Sequence, residues 1–414
     1  SVGRYTEGHF TRLGEEASSM EADPASRQIR QAIRLVVLLG LVSLLADVTY
    51  EGARSVVGPY FQVLGASAAV VGIVAGLGEL VGYVLRLGSG YLADRTRRYW
   101  MLTLLGYAIN LLAVPALALT GRWEMAAVLV VLERTGKALR TPARDAILSH
   151  ATARIGRGWG FGLHEAMDQI GAILGPMVVA GILLVGGSFR TSFAVLGIPA
   201  ILALLVLAVA CVLYPRPQEL ETKTPHLRVK GFSPSFWLYM IGAACVAAGF
   251  VDFPLIAYHF ERIRLLPAEW IPISYALAMA VDAVAALVFG RLFDRIGFLA
   301  VAIGVLASAL FAPLVFLTGT VGAAIGLALW GIGMGAQESI IRAAVGTMVP
   351  SEWRGTAYGI FNAGYGLAWF AGSACMGVLY GFSLPVMVAF SVAAQLASLP
   401  FFLLVIRGVR KGAS

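Results

Sequence analysis

Apolar residues in this chain gather into long unbroken runs and do not alternate with polar ones. Twelve runs are evident, at residues 32–57, 66–88, 100–120, 124–142, 159–185, 190–214, 235–258, 270–292, 298–318, 321–347, 355–379 and 384–406. Each approaches or exceeds the roughly 20 residues a helix needs to cross a hydrocarbon core of about 30 Å. Backbone amides in lipid have no water to bond, so such segments must be helices. The period-two pattern of a membrane barrel is absent. The expected fold class is an all-α integral membrane protein with twelve transmembrane helices.

Short polar motifs between the runs repeat at a nearly fixed offset. Gly90-Tyr-Leu-Ala-Asp94-Arg95 returns 200 residues later as Gly290-Arg-Leu-Phe-Asp294-Arg295-Ile-Gly297. Arg157-Gly158-Trp-Gly-Phe161-Gly162 returns as Arg354-Gly355-Thr-Ala-Tyr358-Gly359, and the segments around Arg144 and Arg342 correspond as well. A constant long offset in a hydrophobic chain predicts two homologous membrane halves that enclose a site and rock around it. The halves are expected at 32–214 and 236–414, joined by a polar linker at 215–235 and preceded by a polar tail at 1–31. Residues 1–19 read as a leader ahead of a start at Met20 or as a disordered tail, and no cleavable signal peptide is evident.

Composition supports this reading. The chain is 59% hydrophobic and 13% charged, half the charge of a typical soluble domain. Its net charge of +8 would suggest a nucleic-acid partner in a soluble protein. Here 22 Lys and Arg fall at one set of loops and helix ends, against four on the other. That bias predicts a cell-membrane (inner-membrane) protein with both termini in the cytoplasm, and leaves no role for nucleic acid. Cys211, Cys245 and Cys375 lie inside apolar runs without metal-ligand or redox spacing and read as packing residues.

The two Gly-x-x-x-Asp-Arg loops, the twelve runs and the central linker together resemble the major facilitator superfamily, over residues from about 30 to 410. The stretch Glu133 to Asp145, with Arg157-Gly158 and His164-Glu-Ala-Met-Asp168, resembles a prokaryotic branch of predicted efflux permeases. The resemblance implies transport and leaves the substrate open. Arg97 stands where the family usually has glycine. Gly171-x-x-x-Gly175-Pro176 resembles the antiporter signature of family exporters, although the paired glycines that normally follow are replaced by residues such as Val179 and Ala180. The bland alternative for this stripe is ordinary close helix packing.

A carboxylate at a membrane face can accept hydrogen bonds at a helix start, and the resemblance implies that Asp94 and Asp294 do so as latches on the opposite half, at the starts of helices 11 and 5, where Arg354-Gly355 and Arg157-Gly158 fall. Gly90, Arg95, Gly290, Arg295, Arg144 and Arg342 complete this candidate gate. Helix 4 carries Glu133, Lys137, Arg140 and Arg144 as one polar stripe, answered by Glu338 and Arg342 on helix 10. These read as gating pairs or as a site for an anionic substrate.

Ionisable side chains inside the runs are the candidates for chemistry, because burying them costs at least ~2.5 kcal/mol each unless they face a cavity or a partner. Asp47, Glu51 and Arg54 share one face of helix 1, Glu79 lies on helix 2, Asp252 on helix 7 and Asp282 on helix 8. Helix 5 offers His164 and Asp168 at i, i+4, a pair able either to exchange protons near neutral pH or to brace the gate. Excess acid over base in this set points to a cationic or neutral cargo, either a drug-like organic molecule or a metal cation. A metal site is unassigned, since no His, Cys or Met cluster has useful ligand spacing. No HExxH, GxSxG or Walker pattern is present, so neither an enzyme nor a cofactor is expected.

The function expected is a proton-coupled exporter acting as a monomer among membrane lipids. A proton-coupled importer of a small metabolite is the alternative, and a non-transporting receptor or scaffold a remote one.

Overall fold

The computed structural model describes residues 24–152, 157–215, 232–341, 344–345, 348–349 and 354–412. Among them the secondary structure is helical and contains no strand. The helices are α1 (Pro24–Val63), α2 (Ala68–Thr96), α3 (Tyr99–Ala116, with a 3₁₀ turn to Leu119), α4 (Trp123–Thr152), α5 (Arg157–Leu184) and α6 (Phe189–Val195 and Gly197–Leu213). The second half repeats the set with α7 (Pro234–Gly249 and Phe253–Ile263), α8 (Trp270–Ile296), α9 (Leu299–Ala309 and Phe311–Leu317), α10 (Thr320–Ala336, continued by a π turn at Gln337–Ile341), α11 (Arg354–Phe382) and α12 (Leu384–Gly412).

Ten of these are long and apolar enough to span a membrane by composition alone. The other two are α11 and α4, and α4 carries its charged stripe through the middle of the span. Helix starts follow local chemistry. Ser67, Ser188 and Ser233 each accept a hydrogen bond from the backbone N–H three residues on, and Pro234 occupies the first helical position of α7.

The duplication read from the motifs is visible in the backbone. Arg97 closes α2 in the left-handed conformation at φ 54°, and Gly297 closes α8 at φ 60°. Both copies thus end on a residue of positive φ, but Arg97 is in the left-handed helical region (ψ 17°), at a steric cost glycine avoids, whereas Gly297 lies at ψ −137°.

The halves meet through α2 against α11, α5 against α8, and α1 against the second segment of α7. The first two pairs are equivalents under the repeat. Glycine lets these backbones touch. A Cβ on Gly58 would collide with the Pro254 carbonyl, and one on Gly72 with the Ser373 carbonyl. These contacts lie toward the end of the bundle away from the linker, here called the far side. The interhelical linker expected at 215–235 falls mostly outside the described residues.

Candidate functional site

The centre of the molecule is a chain of ion pairs, and α1 supplies its hub. The Arg54 guanidinium lies 3.4 Å from Glu79 of α2, 3.6 Å from Asp252 and 4.0 Å from Glu51 one turn back. Asp252 sits where α7 breaks, between Gly249 and Phe253. Pro254 has no N–H to continue a ladder. Asp252 Oδ2 accepts hydrogen bonds from the Trp369 indole (3.0 Å) and the Ser373 hydroxyl (2.7 Å) of α11. Carbonyls freed by the break are also taken: Trp330 donates to Val251, while Ser391 and Gln395 donate to Gly249. Arg54 therefore joins carboxylates of both halves across their interface.

Helix α4 adds more than its sequence position suggests. It is 30 residues long, so Arg134 lies roughly 17 Å from its far-side start, deep in the bundle. Arg134 is 3.4 Å from both Glu79 and Glu133, and its stem packs over Gly78, where no side chain is in the way. Lys137 is 4.0 Å from Glu51, and its ammonium lies 3.9 Å from the centre of the Tyr50 ring. Tyr275 of α8 donates to Glu51 at 2.5 Å, and Asn110 of α3 donates to Glu133 at 2.6 Å. Arg140 is buried against the Tyr107 ring at 4.0 Å. The sequence reading placed this stripe near the gate and found acid in excess. In the folded chain Arg134 and Lys137 stand among the central carboxylates and offset them.

Asp47, Asp282, His164 and Asp168 lie apart from this hub. Asp47 is buried, its Oδ1 has no hydrogen-bond partner, and it makes no ion pair with a described residue. Gly171 of α5 packs directly on its Cβ, so the glycine stripe of α5 serves as the close contact between α5 and α1. His164 Nε2 is 3.9 Å from Asp168, which lies 4.0 Å from Arg144. Arg144 turns inward, making paired bonds to Asp145 (2.8 and 2.9 Å) and one to Ser43 (3.1 Å). Asp282 is buried on α8 without an ion pair to a described residue. Of the other gate candidates, Arg95 is exposed and donates to Tyr91 at 2.9 Å. Asp294 and Arg295 are exposed at the end of α8, and space is open around Gly290. The side chains of Asp94, Arg157, Arg342 and Arg354 lie outside the described residues.

Two cavities flank the hub. A polar one opens on the linker side between the halves, lined by Glu51, Arg54, Glu79, Arg86, Arg134 and Lys137 from the first half and by Gln337, Glu338, Asn362, Tyr365 and Trp369 from the second. A mostly apolar one lies beyond it, lined by the first half and, from the second, by Asp252 and Pro254. Sequence reasoning missed Tyr275, Trp369 and Ser373, because a lone Tyr, Trp or Ser in an apolar run carries no signal of what it bonds.

Two pseudo-symmetric six-helix halves meeting at a charged central cavity define the transporter class of polytopic membrane proteins. The family model for the Major Facilitator Superfamily matches residues 39–373, and the chain belongs to that superfamily. It is 41% identical to an uncharacterized protein of Mycobacterium tuberculosis over 382 residues, 91% of this chain and 93% of the relative. It is 26% identical to an uncharacterized MFS-type transporter of Methanocaldococcus jannaschii, covering 86% and 90%. In fold it is similar to the nucleoside transporter NupG, with a TM-score of 0.71 at 14% identity over 89% of this chain and 99% of that one.

Proposed function

We propose that the chain is a secondary active transporter working by alternating access, which exports a small organic molecule, neutral or cationic, in exchange for protons. The observation that carries this reading is the junction at Arg54, where carboxylates of both halves share one cation beside an open cavity. Rocking of the halves stretches the Arg54–Asp252 pair. A buried carboxylate that loses its cation must take up a proton or a cationic group in exchange, because an unpaired charge in this setting costs several kcal/mol. Asp47, one turn from Glu51 and without an ion pair to a described residue, is the second place where a proton can be stored.

The polar cavity's lining by side chains of both halves favours an organic cargo over a bare ion, and the approach of Arg134 and Lys137 to the carboxylates favours a neutral one within that class. Among the described residues no group of three His, Cys, Asp or Glu is placed to hold a metal. The stripe of Gly171, Gly175 and Pro176 supports export through its resemblance to exporters.

The test is flux in proteoliposomes under pH gradients of both signs, with a cargo found by a thermal-stabilisation screen. Export predicts uptake into inside-acid vesicles by molecules inserted with their linker side outward. Asp47→Asn and Glu51→Gln are measured beside the unmodified chain. The variant that removes the coupling acid should lose gradient-driven flux yet keep exchange at zero gradient. Wild-type gradient-driven flux in both would remove α1 as the coupling element and direct attention to Asp252 or His164–Asp168.

A further inference from the structure

The apolar chamber has no part in the transport reading above, and its boundaries make it informative. Val57 and Phe61 of α1, Val74 of α2, Val114 of α3, the 3₁₀ residue Leu117 and Val130 of α4 line it. Its floor is charged: Arg54, Glu79 and Arg134 line both this chamber and the polar cavity. A layer of ion-paired side chains therefore separates the apolar space from the polar one.

We propose that the two cavities form one binding site for an amphiphile, with its apolar tail in the chamber and a head of no net charge in the polar cavity. The tail assignment follows from the lining, in which Val57, Phe61, Val71, Val74, Val114, Leu117 and Val130 outweigh the polar groups of Tyr50, Glu133 and Asp252 that join Arg54, Glu79 and Arg134. The head assignment follows from charge. Glu51, Glu79 and Glu338 face Arg54, Arg86, Arg134 and Lys137 across the polar cavity. A net charge brought in either sign would compete with pairs already made. A neutral hydroxyl-rich or zwitterionic head can instead bond between them. The ion-paired layer is the point at which head and tail join, so a ligand spanning it parts Arg54 and Arg134 from Glu79. That opening would couple occupancy of the chamber to the junction between the halves. The proposal rests on the transport reading for its use, and is tested by binding alone.

The probes are n-alkyl β-glucosides from butyl to octyl, below their critical micelle concentrations, added to the protein in lipid nanodiscs. Alkyl sulfates and alkyltrimethylammonium ions of matched length serve as charged comparators. Glucoside affinity is expected to rise about fourfold per methylene until the chamber is filled. Val74→Trp, which fills the chamber, should abolish the dependence on length, and Val114→Phe is the second filler should the first fail to fold. Val128→Trp on the exposed face of α4 should leave the dependence intact. Affinity independent of chain length, or a length dependence surviving both fillers, would overturn the tail assignment. Tighter binding of either charged series would overturn the head assignment. Length-dependent binding by a protein that shows no flux would support the site and count against transport instead.

Discussion

Replacing Arg54 by Met tests the central junction, because its three carboxylates do not lose equally. Glu79 keeps Arg134 at 3.4 Å, and Glu51 keeps Lys137 at 4.0 Å together with the Tyr275 hydroxyl. Among the described residues Asp252 keeps only neutral donors, Trp369 and Ser373, and it is 3% exposed. The cost therefore concentrates at Asp252. Stranding a buried charge in this way costs about 3–5 kcal/mol. Asp252→Asn alone is milder. Arg54 retains two carboxylates, and the new amide oxygen still accepts from Trp369 and Ser373, so the loss is that of one charge-assisted bond, about 1.5–3 kcal/mol. In the double variant no charge is stranded at residue 252, and the total should fall short of the sum by about 2 kcal/mol. Equilibrium unfolding by sodium dodecyl sulfate from mixed micelles, on all four proteins, gives the coupling energy directly. A coupling below about 0.5 kcal/mol would mean that Arg54 and Asp252 do not interact across the halves, and the junction would lose its place in the mechanism.

Gly58→Val puts a side chain against the Pro254 carbonyl, so spin labels at Gln62 and Glu261 should move apart as far-side closure is blocked. An unchanged distance distribution would remove that contact from the closure. Arg97→Gly relieves a left-handed residue and should stabilise the protein by about 1–2 kcal/mol in the same unfolding assay, with no gain refuting strain at φ 54°. Single cysteines placed at Gly186 and Thr224 should label from outside intact cells at the first position only, and the reverse pattern would invert the orientation read from the basic residues.

The fold was legible because lipid leaves the chain few options: an apolar run of sufficient length must be a helix, and a motif repeated at a fixed offset must mark a repeated unit. The interruptions were harder to read. The run at 235–258 looks continuous, yet α7 breaks before Asp252, and the signal available was the pairing of Gly249 with Pro254 around an acid. Within the site, Glu51, Glu79 and Asp252 stood out as charges in apolar surroundings. The roles of Arg134 and Lys137 did not, because the fourth run was read as ending at residue 142. The helix continues to Thr152, and that extension draws both cations toward the midplane. Trp369 and Ser373 were silent, since a hydrogen bond across 117 or 121 residues leaves no local trace.

The glycine contacts at the far side have a consequence for how the two faces of the bundle respond to solution conditions. Gly58 against Pro254 and Gly72 against Ser373 seal that side by shape, through backbone surfaces in van der Waals contact, with the neutral bond from Tyr258 to the Ala66 carbonyl beside them. Such a seal carries no formal charge for counterions to screen. The linker side carries exposed Asp294, Arg295 and Arg95, whose interactions weaken over a Debye length of about 8 Å at physiological ionic strength. Raising salt should therefore weaken linker-side contacts without loosening the far-side seal, biasing the protein without competing for its cargo.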